Sequence, residues 1–253
     1  MVFNSDSGRT LLLMDSKTGR VDAIIEVFRL GALRTAAASG VATKYLAQQN
    51  ATSLGVIGAG RQARTQILSI CAVRPIKSII VLGRDQTKTL QFCEEMSSEL
   101  GFPVNVAKDH LDLYDCSIIC TATTSHKPVL FGKNLRPGTH INSIGANRME
   151  RQELDDEVIP KCSIVTVDNK DQAQTESALL NSAIKDVKTS FCWDDVLELS
   201  ACIKAKGQIP RQSGAITLYN SHGVAMDDVA LATKAFDLAN EQGVGSFVEF
   251  TGA

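Results

Sequence analysis

Residues 53–63, Ser-Leu-Gly-Val-Ile-Gly-Ala-Gly-Arg-Gln-Ala, constrain the fold more than any other stretch of the chain. Leu54, Val56 and Ile57 form a short apolar run, the mark of a parallel strand buried on both faces. Gly58-Ala59-Gly60 breaks that run. From Arg61 onward, apolar Ala63, Ile67, Leu68 and Cys71 recur at helical spacing. The pattern is G-x-G-x-x-A. Gly58 permits a tight turn, Gly60 lets main chain approach a pyrophosphate, and small Ala63 lets the helix lie close to the strand. The helix N-terminus adds free N–H groups and the positive end of a dipole. A glycine pattern alone is weak. A strand before it and a helix after it point to a dinucleotide-binding turn.

The chain beyond it keeps alternating. Strands are expected at 78–82, 104–106, 117–121, 139–144 and 163–167, with a helix at 86–100. With 54–57 these make six strands, matching a doubly wound parallel sheet. Ligands of such sheets sit beyond the carboxyl ends of the strands. That gathers Gly58-Ala59-Gly60, Gly83-Arg84, residues 121–124 and Gly145-Ala146-Asn147 on one rim. Upstream, 10–15 and 21–25 read as a hairpin turning through Ser16-Lys17-Thr18-Gly19. A helix with an Ala36-Ala37-Ala38 centre follows at 30–48. Downstream, 171–184 and 193–199 read as helical and 216–219 as a strand. The last helix, 224–241, carries Ala225, Val229, Ala232, Phe236 and Ala239 on one face.

Composition narrows the class. A chain of 253 residues holds one large domain or two small ones, and 44% hydrophobic with 21% charged residues is ordinary for a soluble globular protein. A net charge of −2 leaves no electrostatic footprint for nucleic acid or an anionic membrane, and no apolar run approaches a membrane span. The seven cysteines are scattered with no C-x-x-C pair. They read as reduced, buried thiols of a cytoplasmic protein rather than disulfides or metal ligands.

Several stretches together resemble the ornithine cyclodeaminase/mu-crystallin family. They are Leu33-Arg34-Thr35-Ala36-Ala37-Ala38, the Gly58 turn through Ala63, Ala122-Thr123-Thr124 with Pro128-Val129, residues 138–146, Glu153-Leu154-Asp155, and residues 218–228. The resemblance implies an α/β protein: a Rossmann doubly wound parallel sheet plus a smaller, incomplete α+β substrate and dimerisation domain. Its parts would be residues 1–51 (substrate and dimerisation), 52–219 (dinucleotide-binding) and 220–253 (a C-terminal helix returning to the first part). Family members usually carry several tens of residues before the hairpin, including a substrate-binding arginine and a lysine near the reacting carbon. The shared chemistry implied is hydride transfer between a nicotinamide and the carbon bearing nitrogen in an amino or cyclic imino acid. A homodimer acting on a small amino or imino acid is implied too.

The resemblance gives individual residues roles. Arg34 would clamp a substrate carboxylate, for which a guanidinium fork is suited. Gly58, Ala59, Gly60, Arg61 and Gln62 would hold the dinucleotide. Thr121, Ala122 and Thr123 would line the nicotinamide ribose, with Ser221 nearby. His222 stands where the family pattern makes it unusual, and a capping or solvated role is favoured over a catalytic one. Cyclodeaminases carry an aspartate after Gly-Gly at the end of the fifth strand. Asn147 stands there, and an amide cannot act as that carboxylate. This favours a reductase, with Asn147 orienting substrate, over an ammonia-releasing cyclodeaminase; a non-catalytic crystallin-like binder is the third reading. At the end of the second strand Gly83 brings no carboxylate and Arg84 follows, so NADP(H) is expected in preference to NAD(H), although Asp85 is close enough to reach a ribose.

Overall fold

The computed structural model describes residues 2–5, 8–186, 190–210 and 212–248. Two compact units emerge: one from the chain ends, up to Arg34 and from Val224, the other from residues 35–223. The division falls within helix α1 (Leu30–Leu46).

The first unit is a three-stranded antiparallel sheet in the order β1 (Val2–Ser5), β2 (Gly8–Met14), β3 (Val21–Glu26). The β2–β3 turn is held by Asp15, whose carboxylate accepts from the amides of Lys17 and Thr18 and from the Thr18 hydroxyl. Gly19 closes it at φ +72°. Strand β1 was not among the expected elements, since four residues give no readable alternation. A small core of Leu11, Val27 and Leu30 packs with Ala232 of α7 (Ala225–Gln242).

The second unit is an eight-stranded, wholly parallel sheet. In chain order its elements are β4 (Ser53–Ile57), α2 (Arg61–Val73), β5 (Ser78–Leu82), α3 (Gln86–Leu100), β6 (Val104–Val106), β7 (Ile118–Thr121), β8 (His140–Ser143), β9 (Cys162–Val167), α4 (Lys170–Glu176), α5 (Ala178–Lys185), β10 (Val196–Glu198), α6 (Leu199–Lys204) and β11 (Ile216–Asn220). Across the sheet they run β10-β9-β11-β8-β7-β4-β5-β6. Each face buries its own core. Leu54, Val56, Ile79, Val81 and Cys120 face one way, toward Ala42, Leu46, Ile67 and Ile70. Ile57, Ile119, Ile141, Val165 and Leu218 face the other, toward Leu179 and Leu180. Burial on both faces is why these strands read as near-continuous apolar runs.

Two expected elements differ. Residues 193–199 are not one helix. A short 3₁₀ turn at Trp193–Asp195 leads into β10, which pairs with the open edge of β9, and helix begins only at Leu199. Val196 is fully buried opposite Val165, so pairing and burial override the local helical pattern. The helix at 171–184 is split at Ser177. Its hydroxyl caps α5 by accepting from the Leu180 amide and also donates to Asn220 Oδ1. The seven cysteines are free thiols, all buried or half-buried except exposed Cys192. No described helix is long and apolar enough to cross a membrane.

Arg74, just past α2, is 5% exposed, and its guanidinium is aimed at main-chain carbonyls. It donates to Thr43, Lys44 and Ala47 at 2.8–2.9 Å, to Gln48 at 2.9 Å and to Val73 at 2.8 Å. Four of these lie in or just past the last turn of α1, where carbonyls lack intrahelical partners and a cation meets the negative end of the dipole. Arg74→Met keeps the stem and removes the donors. It is expected to lower the unfolding free energy by about 3 kcal/mol, read as a lower urea midpoint at unchanged slope. Arg74→Lys should recover only part of this, because an ammonium has no planar fork. An unshifted midpoint for Arg74→Met would show that these bonds do not stabilise the fold.

Candidate functional site

From β4 the chain runs outward to β5 and β6, then crosses to β7 on the other side of β4. That reversal opens a crevice beyond the carboxyl ends of β4 and β7, the usual ligand position in such sheets. Gly58, at the end of β4, has φ +116°, and a Cβ there would stand 2.4 Å from the Ala122 carbonyl oxygen. Only glycine fits. The amides of Gly58 and Ala122 donate to Leu82 and Ile57, each at 2.8 Å, continuing the sheet around the turn.

Gly60 has the opposite character. A Cβ there would meet nothing within 4 Å. It is the N-cap of α2 and offers no side-chain cap, whereas α3, α4 and α5 are capped by Asp85, Asn169 and Ser177. The start of α2 thus has no side-chain cap and open space at Gly60, as a diphosphate requires. Ala59 is half-buried and Arg61 exposed. Gln62 Oε1 is buried with no hydrogen-bond partner among the described residues. These features fit a dinucleotide.

On the β5 side of the turn, Gly83 and exposed Arg84 follow the strand. Asp85 is the N-cap of α3, its carboxylate accepting from the Lys88 amide at 3.1 Å. That bond gives Asp85 a structural task of its own.

On the β7 side the rim is tied together by Glu153, which is fully buried. Oε1 accepts from the Thr123 amide at 2.6 Å and its hydroxyl at 2.7 Å. Oε2 accepts from the Thr121 hydroxyl and the Gly145 amide, both at 2.7 Å. Thr121 is thus buried under the rim rather than on it, while Ala122 and Thr123 stay partly open. Asn147 is exposed beyond β8. Ser221, past β11, is buried, and its amide donates to Ser143 at 2.9 Å.

A second carboxylate organises the next strand ends. Asp168, after β9, accepts from the Tyr219 hydroxyl and from the amides of His222 (2.6 Å) and Gly223 (2.8 Å). His222 is not a solvated loop residue: it is 6% exposed, with neither ring nitrogen hydrogen-bonded among the described residues. Burial pushes its imidazole below the ordinary histidine range, against the opposing pull of Asp168 and Glu176. Neither Glu153 nor Asp168 was singled out from sequence as a site residue. The available signal was an acidic residue closing or following an apolar strand in a rim loop.

Arg34 lies in the first unit, on α1. Its Nε donates to Asp228 Oδ1 of α7 at 3.1 Å, both side chains being about one-fifth exposed. Among the described residues, the pair is made through Nε alone.

The ornithine cyclodeaminase/mu-crystallin family model matches residues 5–243. The chain belongs to that family. A Δ1-pyrroline-2-carboxylate reductase of Bacillus cereus is 35% identical over 95% of this chain and 74% of the relative. The solved Δ1-pyrroline-2-carboxylate reductase of Thermococcus litoralis, in complex with NADH and L-proline, superposes with TM-score 0.89 at 36% identity, covering 95% of this chain and 74% of that one. The iminosuccinate reductase of Paracoccus denitrificans in complex with NAD+ gives 0.86 at 31% identity, over 96% and 74%. An archaeal alanine dehydrogenase, a dimer with bound NAD, gives 0.87 at 31% over the same shares. The mixed α/β architecture with its parallel Rossmann sheet is thus that of NAD-binding members of the family.

In this family member the two glycines are expected to separate fold from binding. Gly60→Val should leave the melting temperature unchanged and abolish NADH binding in calorimetry, because its side chain enters only the open space before α2. Gly58→Ala should cost about 2 kcal/mol or more of stability, because it meets the Ala122 carbonyl at a left-handed φ. Retained NADH affinity in a folded Gly60→Val would overturn the placement of the diphosphate.

Proposed function

We propose that the chain is an NAD(P)-dependent reductase that transfers hydride to the C=N carbon of a small cyclic imino acid. The observation that carries this reading is the likeness to pyrroline-carboxylate and iminosuccinate reductases across nearly the whole chain, laid over a crevice with an uncapped glycine turn. The bound nicotinamide supplies the hydride. The α2 N-terminus and the Gly58–Gly60 turn hold the diphosphate. The partly open Ala122 and Thr123 main chain walls the nicotinamide ribose, and Ser221 supports the neighbouring strand end. Arg34, paired through Nε with Asp228, is the candidate clamp for the substrate carboxylate. Asn147 offers an amide donor and acceptor to orient the substrate. With no carboxylate at that position, an ornithine-cyclising reaction is the weaker reading.

The cofactor reading goes further, to NADP(H) over NAD(H). Exposed Arg84 is available to a 2′-phosphate, and Asp85, the nearest carboxylate, caps α3. One matrix tests activity and preference together: Δ1-pyrroline-2-carboxylate with NADPH or NADH, for wild type, Arg34→Ala and Arg84→Ala. Wild type should oxidise the reduced cofactor, with NADPH favoured. Arg34→Ala should raise KM about tenfold, the loss of one charge-assisted bond. Arg84→Ala should erase the NADPH advantage. Absence of turnover with this and related cyclic imines would sink the reductase reading. A wild-type preference for NADH would sink the cofactor reading alone.

The protein is further proposed to be a homodimer joined through its first unit. Ile24, Phe28, Leu33 and Met226 there are large apolar side chains, each about half exposed or more. Sedimentation equilibrium should give twice the 27.2 kDa of one chain. A monomer at micromolar concentration would rule the dimer out.

A further inference from the structure

Glu153 is a fully buried carboxylate held by neutral donors among the described residues. Its Oε1 accepts from the Thr123 N–H and hydroxyl, and Oε2 from the Gly145 N–H and the Thr121 hydroxyl, with the Ser143 hydroxyl at 3.5 Å. All of these donors are neutral. Among the described residues, no lysine, arginine or histidine lies within ion-pairing distance of it. A buried carboxylate without a counter-charge is costly unless a cation completes it.

Its place in the sheet says which cation. In a doubly wound sheet the residue that reads the adenosine ribose follows the second strand, here β5. With a diphosphate held at α2, the opposite half of a dinucleotide would extend over β7 and β8. Glu153 binds Thr121 and Thr123 at the end of β7 and Gly145 at the end of β8, directly beneath that half. A Cβ on Gly145 would stand 2.0 Å from the Thr123 carbonyl oxygen and 2.5 Å from Glu153 Oε1, so rim and carboxylate are in close contact. The nicotinamide ring is cationic when oxidised and neutral when reduced.

We propose that Glu153 is the counter-charge for the oxidised nicotinamide ring, so that this rim binds the oxidised cofactor more tightly, relative to the reduced one, than it would without the carboxylate. This rests on the dinucleotide reading of the site. In the reductive direction a hydride leaves the ring for the imine carbon while the imine nitrogen takes a proton from solvent. The carboxylate then meets the positive charge left on the ring. Glu153 also positions the rim through Thr123 and Gly145, and that second role weakens both cofactor forms alike when disturbed.

Calorimetric titration with the oxidised and reduced members of the NAD and NADP pairs separates the two roles. Glu153→Gln should weaken the oxidised form about fivefold more than the reduced form, as expected for one unit charge removed from a partly desolvated site. Glu153→Asp, which keeps the charge and shortens the arm, should weaken both forms together and hold their ratio within about twofold. Equal weakening of both forms by Glu153→Gln would overturn the proposal and leave Glu153 a purely structural tie. If Glu153→Gln does not fold, the wild type carries the test through benzamide adenine dinucleotide, a neutral isostere of NAD+. NAD+ should bind about fivefold more tightly than the isostere, and equal affinity would overturn the proposal. A wild type that binds none of these dinucleotides would overturn the dinucleotide reading itself, and this inference with it.

Discussion

The close approach of two backbones at the end of β4 is the contact on which the site depends. Gly58 turns at φ +116° with the Ala122 carbonyl lying where any side chain would go. Because the turn is this tight, α2 starts at once with no side-chain cap, and β7 ends against the same turn. One steric requirement thus sets the spacing of two strand ends and aims one helix. The phosphate-binding geometry comes from main chain, so it needs few distinctive side chains.

Main-chain geometry must itself be held. At the carboxyl rim this is done by acidic side chains that accept main-chain N–H groups: Glu153 across β7 and β8, Asp168 across β9 and the turn after β11. At the opposite edge a cation does the complementary task, with Arg74 gathering carbonyls at the end of α1. A parallel sheet has no hairpins to fix its strand ends, so long-range polar ties of this kind take their place.

These ties explain what could and could not be read beforehand. β4, β5 and α3 were legible nearly to the residue. Apolar runs on a twice-buried sheet are unbroken, and Gly83, Asp85 and Gly101 punctuate them locally. β10 was not legible, because nothing local marks Val196 as strand; the free edge of β9 does. Arg34 stood out by its motif, but its partner Asp228 is 194 residues further along. Glu153 was visible only as part of a resemblance. Its meaning lies in reaching back 30 residues to Thr123 and 8 to Gly145. His222 was expected in a capping or solvated role and is buried beside Asp168, a placement set by the turn after β11 rather than by its neighbours in sequence.

The cysteines give the molecule a built-in clock. Burial pushes the thiols of Cys71 and Cys93 up to about 11 and those of Cys116 and Cys162 to about 12. The thiolate, the form that reacts with alkylating reagents, is therefore scarce at neutral pH. Exposed Cys192, and to a lesser degree half-buried Cys71 and Cys162, are open to such a reagent without motion of the chain. The four buried thiols sit in different places: Cys93 in α3, Cys116 just before β7, Cys120 in β7 and Cys202 in α6. Each becomes reactive when its own element opens, so the order of alkylation along the unmodified chain maps which parts of the sheet breathe first.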